Sequence, residues 1–129
     1  MLSQSELIGK IPADVAGAYE CTITSLDDSK AEDIVTIDIT EKSSLGDAMI
    51  IASGRSHRHV GAIADRLMRD LKTAGFGSVT VEGLPHCDWV LIDAGDLIVH
   101  IFRPEVREFY NIEKMWSADV GASERMAHA

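Results

Sequence analysis

The residues best suited to chemistry form a short turn, Ser53-Gly54-Arg55-Ser56, between an apolar run and a long amphipathic segment. At a strand-to-helix junction, backbone N–H groups and the helix dipole can hold a phosphate. A nucleotidyl transferase would also need two carboxylates, about ten residues later, to bind Mg²⁺. Asp65 stands near that position, but its neighbours supply no second acid. We therefore favour a structural turn with a helix N-cap at Ser56, and keep an anion cradle as the alternative.

The remaining polar clusters lack the spacing of a catalytic or metal site. His57 and His59 are two residues apart, which on a helix separates their side chains by about 200°, unlike the i, i+4 pair of a zinc helix. Cys21 and Cys87 share no short metal-binding or redox spacing. The Gly-x-Ser-x-Gly pattern of a nucleophile elbow does not occur. We expect no catalytic residue, no metal site and no cofactor.

Aromatic residues are concentrated in residues 89–116, which read WVLIDAGDLIVHIFRPEVREFYNIEKMW. The segment predicts a hairpin, with strands over 90–92 and 97–102 and with Gly95 free to adopt a positive φ in the turn. The chain is only 5% aromatic, so this concentration indicates a contact surface.

Strand alternation divides the hairpin into two faces. Trp89 and Leu91 share one face of the first strand, and His100 and Phe102 share one face of the second. If the opposite face packs beneath helices, these four side chains form a second apolar face. Two alternatives stay open: this face is bare and binds a partner, or the final helix covers it with its own aromatic side chains.

Apolar periodicity predicts the elements that position these residues. In chain order they are a helix over 15–31, strands over 34–39 and 48–52, a helix between Ser56 and Gly75, strands over 79–81, 90–92 and 97–102, and a helix over 104–110. The strands come in adjacent pairs and do not alternate with helices. The predicted α/β class is therefore an α+β mixed sheet of about five strands flanked by helices.

Length and composition fit one globular domain. The chain has 129 residues, 46% of them hydrophobic and 26% charged, enough for a single core. We predict a mobile tail over 1–12, one domain over 13–117 and a disordered tail over 118–129. There is no apolar run of about 18 residues to span a membrane and no secretory signal pattern, so we expect a cytoplasmic protein with no membrane partner.

The net charge of −9 argues against general nucleic-acid binding, which depends on basic residues that neutralise phosphates. The charge is uneven, because residues 55–72 carry five basic and two acidic residues. An acidic body suits a basic partner, and ribosomal proteins are abundant basic partners.

The chain resembles the ribosomal silencing factor family, also called RsfS or Iojap-like, from about residue 26 to residue 117. The resemblance rests on ordered motifs at consistent spacing. They include Lys30–Ile34, Met49–Ser56, Ile63–Asp65, Val81–Gly83, Asp88–Val90, Asp93–Asp96, Val99–Phe102, Phe109-Tyr110 and Ile112–Trp116.

This resemblance implies a nucleotidyl-transferase-like fold without the catalytic carboxylates, and a protein that is not an enzyme. It implies binding to the large ribosomal subunit through its fourteenth protein. Bound there, the factor would block joining of the small subunit and repress translation. Trp89 and Tyr110 would be contact residues, with Leu91, His100 and Phe102 as their neighbours.

The resemblance also implies homodimer formation. From the charge of the chain we expect no direct sequence-specific nucleic-acid binding. A function from a different class stays open beside it. In that alternative, the protein is a degenerate nucleotidyl-transferase-like protein, or a surviving enzyme, that binds a nucleotide at the turn formed by residues 53–56.

Overall fold

Three helices and five strands make up the computed structural model, which describes residues 13–39, 48–76, 79–112 and 114. In chain order they are α1 (Ala13–Asp28), β1 (Glu32–Asp38), β2 (Ala48–Ser53), α2 (His57–Thr73), β3 (Thr80–Glu82), β4 (Trp89–Asp93), β5 (Leu97–Phe102) and α3 (Pro104–Tyr110). The predicted fold class, a mixed sheet flanked by helices, is confirmed. The tails predicted over 1–12 and 118–129 lie outside the described residues.

The five strands form one sheet in the order β1-β2-β5-β4-β3. β2 and β5 pair in parallel at its centre, and the other neighbours pair antiparallel. Every residue of β2 and of β5 is buried. Such continuous burial is what central strands covered on both faces require.

Helix α2 is positioned by signals at both of its ends. The Ser56 side chain caps it and accepts a hydrogen bond from the His59 N–H at 3.1 Å. At the other end, Gly75 has a φ of 93°, and the N–H of Phe76 donates to the Leu71 carbonyl at 3.0 Å, as in a Schellman termination. The boundaries predicted for this helix are therefore confirmed.

The sheet separates two apolar clusters. The helix-covered face lies under α1 and α2, and its fully buried strand residues are Ala48, Ile50, Ala52, Val90, Ile92, Leu97, Val99 and Ile101. The opposite face, here called the α3 face, carries Met49, Ile51, Ile98 and Phe102, with Trp89 and Leu91 only partly buried. Helix α3 adds Val106 to this second cluster, so a single short helix packs where the other face has two long ones.

Candidate functional site

An aromatic cluster on the α3 face runs from the core to the surface. Phe102 is fully buried, and its ring centroid lies 4.9 Å from that of Trp89. Trp89 is half-buried and lies 5.0 Å from the Tyr110 ring. Tyr110 is 52% exposed and contacts Phe109, which is 80% exposed. We call Trp89, Phe109 and Tyr110 the aromatic patch; buried Phe102 packs against its tryptophan.

His100 supports the aromatic patch from within the sheet. It is only 5% exposed, and its Nδ1 accepts a hydrogen bond from the Trp89 Nε1–H at 2.9 Å. An accepting Nδ1 carries no proton, so the neutral ring must carry its proton on Nε2. Burial lowers the pKa of His100 to about 4, because desolvation disfavours the charged ring. The imidazole is therefore neutral at pH 7.

A second polar network joins the start of α3 to the start of β4. The Arg103 guanidinium donates to Asp88 Oδ1 from Nε at 2.8 Å and from Nη2 at 2.7 Å. The same oxygen lies 2.7 Å from His57 Nε2 at the start of α2. The hydrogen bond from Arg103, and next that from His57, lowers the pKa of the Asp88 carboxyl. Asp88, which directly precedes β4, thus connects the start of that strand to the starts of α2 and α3.

The turn over residues 53–56 has the geometry of a structural junction. Its Gly54 N–H donates to the Phe102 carbonyl at 2.9 Å, and its Arg55 N–H donates to His59 Nδ1 at 2.9 Å. A Cβ on Gly54 would lie 2.8 Å from Val60 Cγ2 and 2.9 Å from the Val60 nitrogen. The glycine is therefore required for close packing of β2 against α2. These engaged N–H groups favour the turn-and-cap interpretation over the anion cradle.

The other candidate residues are held in separate structural contacts. Asp65 is exposed and pairs with Arg69 at 3.3 Å. His57 faces Asp88, whereas His59 Nε2 lies 2.9 Å from the Ser29 carbonyl. No group of three or more histidine, cysteine or acidic side chains that could hold a metal occurs in residues 13–39, 48–76, 79–112 and 114. Over those same ranges, no helix has both the length and the apolar character to cross a membrane.

The structure brings the five predicted contact residues onto one face but at different depths. Trp89 and Tyr110 meet, and half-buried Leu91 lies nearby on the same strand face. His100 and Phe102 are buried, so in this conformation they support the surface from below. Of the two alternatives for this face, the structure shows partial cover: α3 contacts Trp89, yet both of its own aromatic side chains remain exposed.

Sequence reasoning gave no role to the arginines that attach α3 to the sheet. Arg103 binds Asp88, and the Arg107 Nη1 donates to Ser53 Oγ at 2.7 Å. The available signal was their i, i+4 spacing, with Arg103 at the N-cap of a short helix and Arg107 within it. The α3 face therefore presents an ordered aromatic surface that is partly exposed.

Comparison with known proteins identifies the family of this chain. Residues 13–128 match the RsfS family, described as "Ribosomal silencing factor during starvation". The chain belongs to the ribosomal silencing factor family, which confirms the resemblance found in its motifs.

Individual relatives agree with this family. The ribosomal silencing factor of Zymomonas mobilis is 56% identical over 92 residues, which are 71% of this chain and 69% of that protein. The mouse protein named "Mitochondrial assembly of ribosomal large subunit protein 1" is 33% identical over 112 residues, 82% of this chain and 49% of that protein. A crystal structure of a Chromobacterium violaceum protein superposes with a TM-score of 0.76 at 40% identity and covers 79% of this chain and 85% of that chain.

Proposed function

We propose that this protein binds the large ribosomal subunit through the subunit's fourteenth protein and prevents the small subunit from joining. Its family is that of ribosomal silencing factors. The name of the mouse relative links that protein to the large subunit of the mitochondrial ribosome. In this proposal the chain acts in the cytoplasm as a translation repressor and not as an enzyme.

The aromatic patch is the observation that carries the proposal. Phe109 and Tyr110 are the large hydrophobic side chains that stand most exposed among the described residues. Aromatic anchors that become desolvated at an interface usually contribute more binding energy than other contact residues. Here the anchors are already ordered, because Tyr110 contacts Trp89 and Trp89 contacts buried Phe102. Little side-chain entropy is then lost on binding.

Charge supports the same choice of partner. The net charge of −9 creates an attractive field for a basic ribosomal protein, and such fields raise association rates more than they raise affinity. The field is screened over about 10 Å at 0.1 M salt. Raised salt should therefore slow association more than it speeds dissociation, while the aromatic patch maintains the bound state.

Steric exclusion of the small subunit is sufficient for the proposed mechanism. A factor seated on the surface where the small subunit docks excludes that subunit without making or breaking any bond. Its effect must then be stoichiometric, with one factor blocking one subunit, and must reverse when the factor leaves. A catalytic modifier would act below stoichiometry and its effect would persist.

The test is an order-of-addition sedimentation experiment. Purified large subunits are loaded with the protein, small subunits are added, and joined ribosomes are measured on a sucrose gradient. We expect joining to fall in proportion to bound protein and to recover after the protein is washed away. Tyr110→Ala should weaken the block, and Arg69→Ala, a change at an exposed ion pair on α2, should not. Complete inhibition at a small fraction of one protein per subunit would contradict the proposal.

The homodimer implied by the resemblance is proposed to form through the same aromatic patch. In that case dimerisation and ribosome binding compete for one surface. Sedimentation velocity over a range of protein concentrations measures the dimer directly. Tyr110→Ala should shift it toward monomer, and a dimer unaffected by that change would place the dimer surface elsewhere.

A further inference from the structure

Helix α3 carries two of the three residues of the aromatic patch and is held to the sheet by few apolar contacts. It has seven residues, none of them buried. Isolated helices shorter than about 12 residues are marginal in water. The apolar contacts of this segment are partly buried Val106, buried Ile112 just after the helix, and the ring of Tyr110 against Trp89. These few apolar contacts are supplemented by polar contacts between α3 and its surroundings, which act at defined points along the helix.

The first such contact is at the start of the helix. Arg103 donates two guanidinium hydrogen bonds to Asp88 Oδ1, and its main-chain N–H donates to the Asp88 carbonyl at 3.1 Å. Asp88 directly precedes Trp89 in the chain. This contact fixes where α3 begins relative to Trp89, but it acts at only one end of the helix.

The second contact lies one turn further on and helps to fix the direction of the helix. Arg107 Nη1 donates to Ser53 Oγ at 2.7 Å, and Ser53 is buried at the end of β2. A hydrogen bond from a charged donor to a buried hydroxyl is stronger than one between neutral groups. The main-chain carbonyl of Arg107 accepts a hydrogen bond from the Asn111 N–H at 2.8 Å, where left-handed Asn111 ends the helix. Tyr110 follows Arg107 by three residues, which makes the two neighbours on the helix surface.

We infer that Arg107 is a positioning residue of the aromatic patch: its hydrogen bond to Ser53 aims α3 so that Tyr110 stays in contact with Trp89. The effect on Trp89 concerns the free protein alone. The effect on partner binding rests on the proposed function, because it assumes that the aromatic patch is the binding surface.

The first test uses the free protein and needs no ribosome. In a Trp116→Phe background, Trp89 is the sole tryptophan, and its fluorescence reports whether Tyr110 still covers it. Arg107→Ala and Ser53→Ala should each shift the emission to longer wavelength and make Trp89 easier to quench with acrylamide. Arg69→Ala is the matched control. Circular dichroism melts establish that each variant is folded, and Arg107→Lys, which keeps a charged donor, should restore part of the wild-type signal.

The second test measures binding to large subunits. Loss of a charged hydrogen bond should weaken binding about 5- to 10-fold in Arg107→Ala. Ser53→Ala should also weaken binding, and the double variant should lose less affinity than the sum of the two single losses, because both changes remove the same hydrogen bond. In a Tyr110→Ala background, Arg107→Ala should have a smaller effect, because Phe109 is then the only aromatic side chain of α3 left to position.

The two tests separate the inference from the proposed function. Unchanged Trp89 emission and quenching in folded Arg107→Ala and Ser53→Ala variants would overturn the inference, whatever happens on the ribosome. So would additive losses of affinity in the double variant. A wild-type protein that does not bind large subunits would overturn the proposed function, while the fluorescence result would still decide the role of Arg107 in the free protein.

Discussion

The two faces of the sheet carry similar apolar side chains but differ in how completely helices cover them. On the helix-covered face, α1 and α2 exclude water completely from residues such as Val90 and Ile92. On the α3 face, Trp89 and Leu91, which alternate with those two residues along the same strand, stay partly exposed. One strand therefore contributes to a closed core on one side and to an open surface on the other.

This difference separates stability from recognition. Free energy of folding is gained mainly where apolar area is fully removed from water. Free energy of binding requires apolar area that water still reaches in the free protein. The helix-covered face should thus dominate unfolding, and the α3 face should dominate partner affinity.

The largest effect is expected from the same substitution made on the two faces. Leu67 on α2 is fully buried, so Leu67→Ala should lower the free energy of unfolding by about 3 kcal/mol. Leu91→Ala, at a half-buried position, should lower it by about 1 kcal/mol. Urea denaturation of both variants measures the two losses. Equal losses would remove the distinction between the faces.

Next in size is the effect of the aromatic patch on affinity. Tyr110→Ala should cost about 2 kcal/mol of binding free energy, roughly 30-fold in Kd, and Trp89→Ala should cost as much. Because Tyr110 is 52% exposed, its removal should change the unfolding free energy much less than it changes affinity. Binding assays and urea denaturation of Tyr110→Ala are compared directly. Folded variants that keep full affinity for the large subunit would show that the contact surface lies elsewhere.

A smaller effect is expected from pH through His100. The pKa of His100 is about 4 in the folded protein and about 6.5 in an unfolded chain. As the pH falls below 6.5, the unfolded chain takes up a proton that the folded protein does not, so stability present above pH 6.5 is lost as the pH approaches 4. The free energy of unfolding should drop by roughly 1 to 2 kcal/mol between pH 6.5 and pH 5 from this group.

The control for the pH effect is His100→Gln, which cannot titrate in this range. Denaturation of both proteins at the two pH values isolates the histidine contribution by subtraction. If the variant loses as much stability on acidification as the parent protein, the neutral buried imidazole is not the source.

The smallest effect is expected at Asp65, the acid nearest to a nucleotidyl-transferase position. It is exposed and paired with Arg69, and surface ion pairs of this kind contribute about 0.5 kcal/mol or less. Asp65→Asn should leave unfolding, ribosome binding and subunit joining within error of the parent protein. Incubation with labelled nucleoside triphosphates and Mg²⁺ should yield no transfer product. Turnover that disappears in Asp65→Asn would revive the enzyme alternative.

The sequence predicted the parts of the fold that local signals determine. Helix α2 was predicted from its apolar stripe and from Ser56 and Gly75, and strand β5 was predicted at its observed bounds. The first helix was predicted to run to residue 31 but ends at Asp28. Lys30, with a φ of 64°, and hydrogen bonds back to the last helical turn end it earlier, and no glycine or proline marks that point.

Depth within the site could not be predicted from alternation. Alternation assigned His100 and Phe102 to the same face as Trp89, but it carries no information about what covers each position. Their burial depends on the parallel pairing of β2 with β5 and on the packing of α3 against the sheet. Both contacts bring together residues that are distant in the chain. The Arg107–Ser53 bond spans 54 positions, so local sequence gives no sign of it.

The hydrogen bond from the Trp89 indole to His100 has a consequence for selectivity. Since that N–H is already engaged inside the protein, a partner that docked on the α3 face would meet Trp89 as an apolar aromatic surface without a free donor. Discrimination at this residue must then depend on the shape and polarizability of the opposing group, and not on a matching acceptor. The engaged indole proton should also exchange slowly with solvent, so its NMR resonance would serve as an internal marker of an intact surface.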